Sequence, residues 1–166
     1  VTIIGDGDAL QVNGSTYFEN CRIEGGGDTV LGRGPAFFKG CTLTSRGPFA
    51  WIRNGSANHG NVFVDCTFIS EDGHLPCLAR TNGTYPHCEM VLIDCRLQGI
   101  SPEGWGGLER GPYDYVRYWE YNSINLSDGK PVDVSRRASG SRQLSLPADS
   151  AVIRAYRNPR WVLGWK

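Results

Sequence analysis

Five residues carry most of the chemistry this sequence offers: Asp28, Trp51, Arg53, His59 and Arg80. Trp51, Arg53 and His59 belong to one stretch, Phe49-Ala50-Trp51-Ile52-Arg53-Asn54-Gly55-Ser56-Ala57-Asn58-His59-Gly60-Asn61. An indole, a guanidinium, amides and an imidazole together suit a sugar, whose apolar faces stack on rings while its hydroxyls pair with amides. The same stretch also reads as a polar coil, with Trp51 partly in the core and His59 satisfied locally. Asn54 and Asn58 are expected to serve the local backbone. His59 is of a type that could act as a general base, but the spacing fixes no nucleophile beside it. Arginine suits carboxylates, which it grips through two parallel hydrogen bonds. Asp28 follows Gly25-Gly26-Gly27, and by itself it reads as a turn residue.

The elements that must position these groups come from a repeat. Four segments share one pattern: Tyr17-Phe18-Glu19-Asn20-Cys21-Arg22-Ile23, Phe37-Phe38-Lys39-Gly40-Cys41-Thr42-Leu43, Val62-Phe63-Val64-Asp65-Cys66-Thr67-Phe68 and Val91-Leu92-Ile93-Asp94-Cys95-Arg96-Leu97. A fifth, Trp119–Leu126, fits with Ile124 at the cysteine position, so the marker positions lie 20, 25, 29 and 29 residues apart. Self-similarity at such periods signals a solenoid. Alternation within each copy makes it a strand with one buried face, and long helical patterns are absent. The expected fold is all-β, a single-stranded right-handed parallel β-helix with long loops on one face. Surplus residues must leave the coils as loops. The longest insertions, between Ser70 and Met90 and between Gly99 and Arg117, are expected to flank a binding face.

The cysteines divide four plus two. Cys21, Cys41, Cys66 and Cys95 are expected to stack inward as reduced, buried small hydrophobes. Cys77 and Cys88 flank the 78–87 loop, which a disulfide could close in an oxidising compartment. Zinc is disfavoured, because no CxxC pair exists and His74 and His87 lack ligand-like spacing.

The chain has 166 residues, 17 Lys+Arg and 17 Asp+Glu, so its formal net charge is zero. That balance argues against a nucleic-acid binder held by phosphate contacts. No apolar run approaches a membrane span, and no signal peptide opens the chain. With 22 glycines and 40% hydrophobic residues, the sequence fits many tight turns around one real core. Asn13, Asn54, Asn82 and Asn125 each begin a triplet that fits the glycosylation sequon, a pattern that also arises by chance. Trp161 and Trp165 are expected to pack the C-terminal tail on the solenoid. The cluster of Tyr113, Tyr115, Tyr118 and Trp119 is expected to be buried under the last loop.

Several motifs, in order, resemble the pectin methylesterase family. Gly25-Gly26-Gly27-Asp28-Thr29-Val30-Leu31 is similar to its Gly-x-Gln-Asp-Thr-Leu. Leu78-Ala79-Arg80 is similar to Leu-Gly-Arg-Pro-Trp, and Ile100-Ser101-Pro102-Glu103-Gly104-Trp105 to Ile-x-Pro-Ala-Gly-Trp. Tyr118-Trp119-Glu120-Tyr121-Asn122 resembles Tyr-x-Glu-Tyr-x-Asn. The resemblance runs from about Ala9 onward and implies a right-handed parallel β-helix. It also implies ester hydrolysis by two aspartates on neighbouring coils. One attacks the carbonyl, and the other, protonated, donates to the carbonyl oxygen and later acts as base. Strands ~4.8 Å apart can place both carboxyls at one carbonyl, and such close pairs push their pKa values apart.

The mapping makes Asp28 the acid/base and Arg80 the orienting arginine. The oxyanion glutamine before Asp28 is Gly27, and the nucleophile position falls on Pro48. No Asp or Glu occurs from Thr29 to Val64. Ser45, close to that position, is the substitute the sequence offers. The family's Arg-Pro-Trp reads Arg80-Thr81-Asn82, which removes a stacking ring. Val1–Gly7 looks like an early family strand that abuts Ala9-Leu10. The expectation is one domain over 1–166, short of N-terminal coils and a cap, with strand edges that invite self-association.

The expected function is a pectin methylesterase-like protein that hydrolyses or recognises esterified pectic carbohydrate. The alternative is a catalytically degenerate carbohydrate-binding or structural, self-assembling β-solenoid. Trp51, Arg53 and His59 are expected to face the carbohydrate. The expected partner is pectic polysaccharide or another acidic carbohydrate, or a second copy through exposed solenoid ends. Nucleic acid, membrane, metal and cofactor are not expected. The expected setting is secreted or periplasmic.

Overall fold

A computed structural model describes residues 1–70, 72–111 and 113–166. The chain winds through five coils of three short strands each. The first coil carries β1 (Thr2–Ile4), β2 (Leu10–Val12) and β3 (Thr16–Glu19), and the second β4 (Arg22–Gly25), β5 (Val30–Gly32) and β6 (Ala36–Lys39). The third carries β7 (Thr42–Ser45), β8 (Ala50–Ile52) and β9 (Asn61–Val64), and the fourth β10 (Thr67–Ile69), β11 (Ala79–Arg80) and β12 (Glu89–Ile93). The fifth carries β13 (Arg96–Gln98), β14 (Trp105–Gly106) and β15 (Arg117–Tyr121), after which come β16 (Ile124–Asn125), β17 (Arg142–Gln143), α1 (Ser150–Tyr156) and α2 (Pro159–Leu163). Equivalent strands stack into three parallel sheets, β1-β4-β7-β10-β13-β16, β2-β5-β8-β11-β14 and β3-β6-β9-β12-β15-β17. This is a right-handed parallel β-helix, as expected.

Register turns the repeat into interior columns. Ile3, Ile23, Leu43, Phe68 and Leu97 stack in the first sheet. Leu10, Val30, Ala50, Ala79 and Trp105 stack in the second. In the third sheet the ring of Phe38 lies 4.8 Å from Phe18 and 4.4 Å from Phe63. The corner before each cysteine turns through the left-handed region, with φ 51° at Asn20, 62° at Gly40, 53° at Asp65 and 55° at Asp94. Only Gly, Asn and Asp enter that region readily, which explains why a small or polar residue precedes each cysteine. Cys21, Cys41, Cys66 and Cys95 are buried and unpaired. The sulfurs of Cys41, Cys66 and Cys95 point at the carbonyl oxygens of Phe18, Phe38 and Phe63, one coil back. Burial pushes the Cys66 thiol up, and that of Cys95 up to about 12, whereas the hydrogen bond with Cys66 draws the Cys41 thiol down to about 6.

Four expectations need correction. The fifth copy is shifted by one residue: Arg96 pairs with Ile124, so Ser123 stands on Cys95 and Asn122 takes the corner at φ 52°. Second, the third sheet is buried on both faces, not one. Its outer residues Phe37, Val62, Val64, Val91 and Ile93 lie under Ile153, Tyr156, Val162 and Leu163 of the two terminal helices. Doubly covered parallel strands read as continuous apolar runs, as in Met90-Val91-Leu92-Ile93. Third, those helices attach chiefly through Ile153, Tyr156, Val162 and Leu163, whereas Trp161 and Trp165 stay 45% and 46% exposed, Trp161 resting on His59 and Tyr156 by one side. Fourth, Tyr118 is fully buried but Tyr115 is 63% exposed, where it stacks on His87.

The far end of the core is closed by an ion pair. Glu120 stands in the interior column of the third sheet, directly after Leu92. The Arg137 guanidinium forks onto its two oxygens at 3.0 and 3.2 Å. Arg137 also donates to the carbonyls of Ser101 and Pro102, and both charged side chains are almost fully buried. Among the described residues, no helix is long and apolar enough to cross a membrane.

Candidate functional site on the second sheet

Alternation on the second sheet separates core from surface. Ala50 and Ile52 of β8 and Ala79 of β11 point inward and are buried, so Trp51 and Arg80 face outward on adjacent coils. The Arg80 guanidinium lies 4.3 Å from the centre of the Trp51 ring, and that of Arg53 lies 4.9 Å from it. Tyr85, from the loop after β11, meets the Trp51 ring edge to face at 6.1 Å. Arg33 lies 5.9 Å from the Tyr85 ring centre and donates to its hydroxyl at 3.5 Å. That contact lowers the Tyr85 pKa, because a cation favours the phenolate.

Asp28 sits at the corner that enters β5, with φ 45°. Arg80 grips it bidentately, Nε donating to Oδ1 at 2.8 Å and Nη2 to Oδ2. The pair raises the Arg80 pKa, chiefly through the hydrogen bonds that Arg80 donates to Asp28. Both Asp28 oxygens therefore act as acceptors, in the bidentate geometry of an arginine–carboxylate pair. Pro48 occupies the stacked position on the next coil, since Thr29 N–H donates to its carbonyl oxygen and Val30 pairs with Ala50. Cys77 follows one coil further, with Phe49 N–H donating to its carbonyl oxygen. Arg80 thus reaches across the coil of Pro48 to find its partner. The indole Nε1 of Trp51 and the Nε of Arg53 are buried donors without a partner among the described residues.

The structure brings together four of the five sequence candidates, Asp28, Trp51, Arg53 and Arg80, and sends His59 elsewhere. Its Nδ1 pairs at 2.8 Å with the buried Glu89, and its ring lies 4.2 Å from Trp161. The chain turns between the second and third sheets at Asn54. That buried amide donates to the carbonyls of Gly55, Asn58 and His87 and accepts from Glu89 N–H. Asn54 is therefore a corner brace, as expected, and it is closed to glycosylation. Ser45 is buried and hydrogen-bonded to Thr29 and Gly47, which removes it as a substitute nucleophile. Arg33 and Tyr85 were missed. Arg33 was legible, because it stands 20 residues before Arg53 at the same point of the coil. Tyr85 lies in a loop with no repeat to place it.

Cys77 and Cys88 do not form a disulfide. Cys88 points inward, 3.4 Å from the Tyr118 hydroxyl, whereas Cys77 is partly exposed at the corner, its thiol pushed up to about 11 by burial. A thiol reagent at mildly alkaline pH is expected to modify the native protein slowly, and at Cys77 alone. After unfolding without reductant, all six thiols should titrate. A count of four would show that the loop is cross-linked after all. Among the described residues, no group of three or more His, Cys, Asp and Glu side chains is placed to hold a metal ion.

No protein-family model and no curated protein sequence matches the chain. Solved structures do. The pectin methylesterase from carrot superposes with a TM-score of 0.79 at 17% identity, covering 99% of this chain and 55% of that one. The deglycosylated pectin methylesterase from Aspergillus niger gives 0.70 at 22% identity, covering 94% and 53%. A pectin methylesterase in complex with a hexasaccharide gives 0.67 at 21% identity, covering 98% and 55%. The likeness is one of fold, and the chain spans about half the length of these proteins.

Proposed function

We propose that this β-helix recognises acidic pectic carbohydrate on the outer face of its second sheet and does not hydrolyse it by the two-aspartate route. One observation carries the reading: Pro48 stacks where a second carboxylate would be needed, and Arg80 crosses that gap to occupy both oxygens of Asp28. Around that pair, Arg33, Arg53 and Arg80 surround two aromatic rings. Rings accept the apolar faces of sugars, and guanidinium groups accept uronate carboxylates. A similar fold holding a hexasaccharide supports a carbohydrate ligand. Such a polymer is met outside the cytoplasm, so this reading goes with a secreted or periplasmic setting.

A second reading rests on the same pair. Asp28, held as a carboxylate by Arg80, could attack an ester carbonyl alone. Methanol release from methylated pectin and calorimetric titration with polygalacturonate separate the two. Binding without methanol, even at high protein concentration, is the expected result. Methanol release that disappears in Asp28→Ala would select the second reading. Absence of both binding and release would remove both.

A further inference from the structure

A separate concavity lies between α1 and the third sheet. It is a shallow, open hollow of about 340 Å³ walled by Trp119, Tyr156 and Trp161, with Arg117 in its lining. Ala151 and Ala155 border it one helical turn apart. Their methyl side chains leave open the space that larger residues would fill. We propose that this cleft binds a planar aromatic carboxylate.

The walls are held in place before any ligand arrives. Trp161 leans on His59 with ring centres 4.2 Å apart, and His59 is tied to Glu89. Glu89 is fully buried and also receives Gly60 N–H at 3.3 Å, the Tyr156 hydroxyl at 3.0 Å and Arg117 Nη1 at 3.1 Å. Trp119 is backed by Arg142, 5.0 Å from its ring centre. Tyr156 meets Trp161 and Trp119 edge to face at 5.1 and 5.9 Å, an arrangement that a further ring extends.

The polar chemistry selects the ligand's other end. Glu89 Oε1 already faces His59 Nδ1 and Gly60 N–H, and Oε2 faces the Tyr156 hydroxyl and the Arg117 guanidinium, so the carboxylate has little left to offer. Arg117 uses one N–H on Glu89 and keeps further donors of its fork, with its side chain 36% exposed. The cleft therefore presents flat apolar walls and surplus donors. A ring with a carboxylate meets both. A neutral sugar can lay an apolar face on the rings, but its hydroxyls need acceptors as well as donors, and the cleft offers few acceptors.

Calorimetric titration with cinnamate tests the proposal, with galactose and cyclohexanecarboxylate as comparisons. Saturable cinnamate binding is expected. Trp161→Ala, which removes a wall, and Ala155→Leu, which fills the space, should each weaken it at least about tenfold. Polygalacturonate binding should be unchanged in both variants, so this result stands apart from that of the second-sheet site. Trp161 is 45% exposed, so Trp161→Ala keeps the test open if Ala155→Leu fails to fold. The proposal is overturned by a flat titration, by binding that neither variant alters, by equal binding of galactose or cyclohexanecarboxylate, or by displacement of cinnamate with polygalacturonate.

Discussion

Arg80→Ala is expected to weaken polygalacturonate binding by about one to two orders of magnitude. The estimate follows from hydrogen bonds to charged groups, about 1.5–3 kcal/mol each, with about 1.4 kcal/mol for each tenfold. Arg80 occupies the centre of the proposed surface, 4.3 Å from the Trp51 ring centre and paired with Asp28. Its loss removes a cation and leaves Asp28 as an unneutralised anion facing an anionic polymer. Arg80→Lys keeps the charge but cannot form the planar fork, so it should recover part of the affinity. Calorimetry at two salt concentrations measures both variants, and added salt should weaken binding of the parent more than of Arg80→Ala. Affinity in Arg80→Ala within threefold of the parent would remove the second-sheet face as the binding site.

Glu120→Ala should give the largest loss of stability, about 3–5 kcal/mol. Glu120 is buried at the end of a column of phenylalanine and leucine side chains, and its partner Arg137 is equally enclosed. Removing the carboxylate strands a buried guanidinium whose remaining acceptors are the carbonyls of Ser101 and Pro102. A domain stable by about 5–15 kcal/mol would lose a large part of its margin. Denaturant unfolding followed by tryptophan fluorescence measures the loss. The paired replacement Glu120→Leu with Arg137→Met removes both charges together and should restore most of the stability. A pair as unstable as Glu120→Ala would show that the guanidinium contributes by tying down the 127–141 loop and not by neutralising Glu120.

Much of the coil was legible because its interior repeats. Cysteine after a left-handed corner, and apolar residues at fixed offsets, mark where each strand must face inward. The reading slipped where the marker changed: Ser123 replaces cysteine, and apolar Ile124 beside it fitted the pattern equally well. The Ser123 hydroxyl has no partner among the described residues, the mark of a polar residue in an apolar slot. The helices at 150–163 were invisible because seven and five residues are too few to display a helical period. Their docking was nevertheless implied, because Val62-Phe63-Val64 and Met90-Val91-Leu92-Ile93 are apolar on alternate sides of the strand. Within the site, Asp28 and Arg80 were found through motifs, and Trp51 and Arg53 through the sugar-like mixture of their segment. His59 was misplaced because the chain turns a corner at Asn54, and nearness along the chain does not survive such a turn.

By itself, the sequence determined the β-helix, the buried cysteine column and the missing second carboxylate. Each of these depends only on residue type at a repeated offset, and stacking makes such offsets equivalent. The tertiary structure alone decided what the missing carboxylate means. It brought Arg80 across the coil of Pro48 onto both oxygens of Asp28, added Arg33 and Tyr85, and carried His59 to a separate cluster beneath the terminal helices. Those outcomes depend on side chains from different coils and loops meeting in space, at separations that no repeat period encodes.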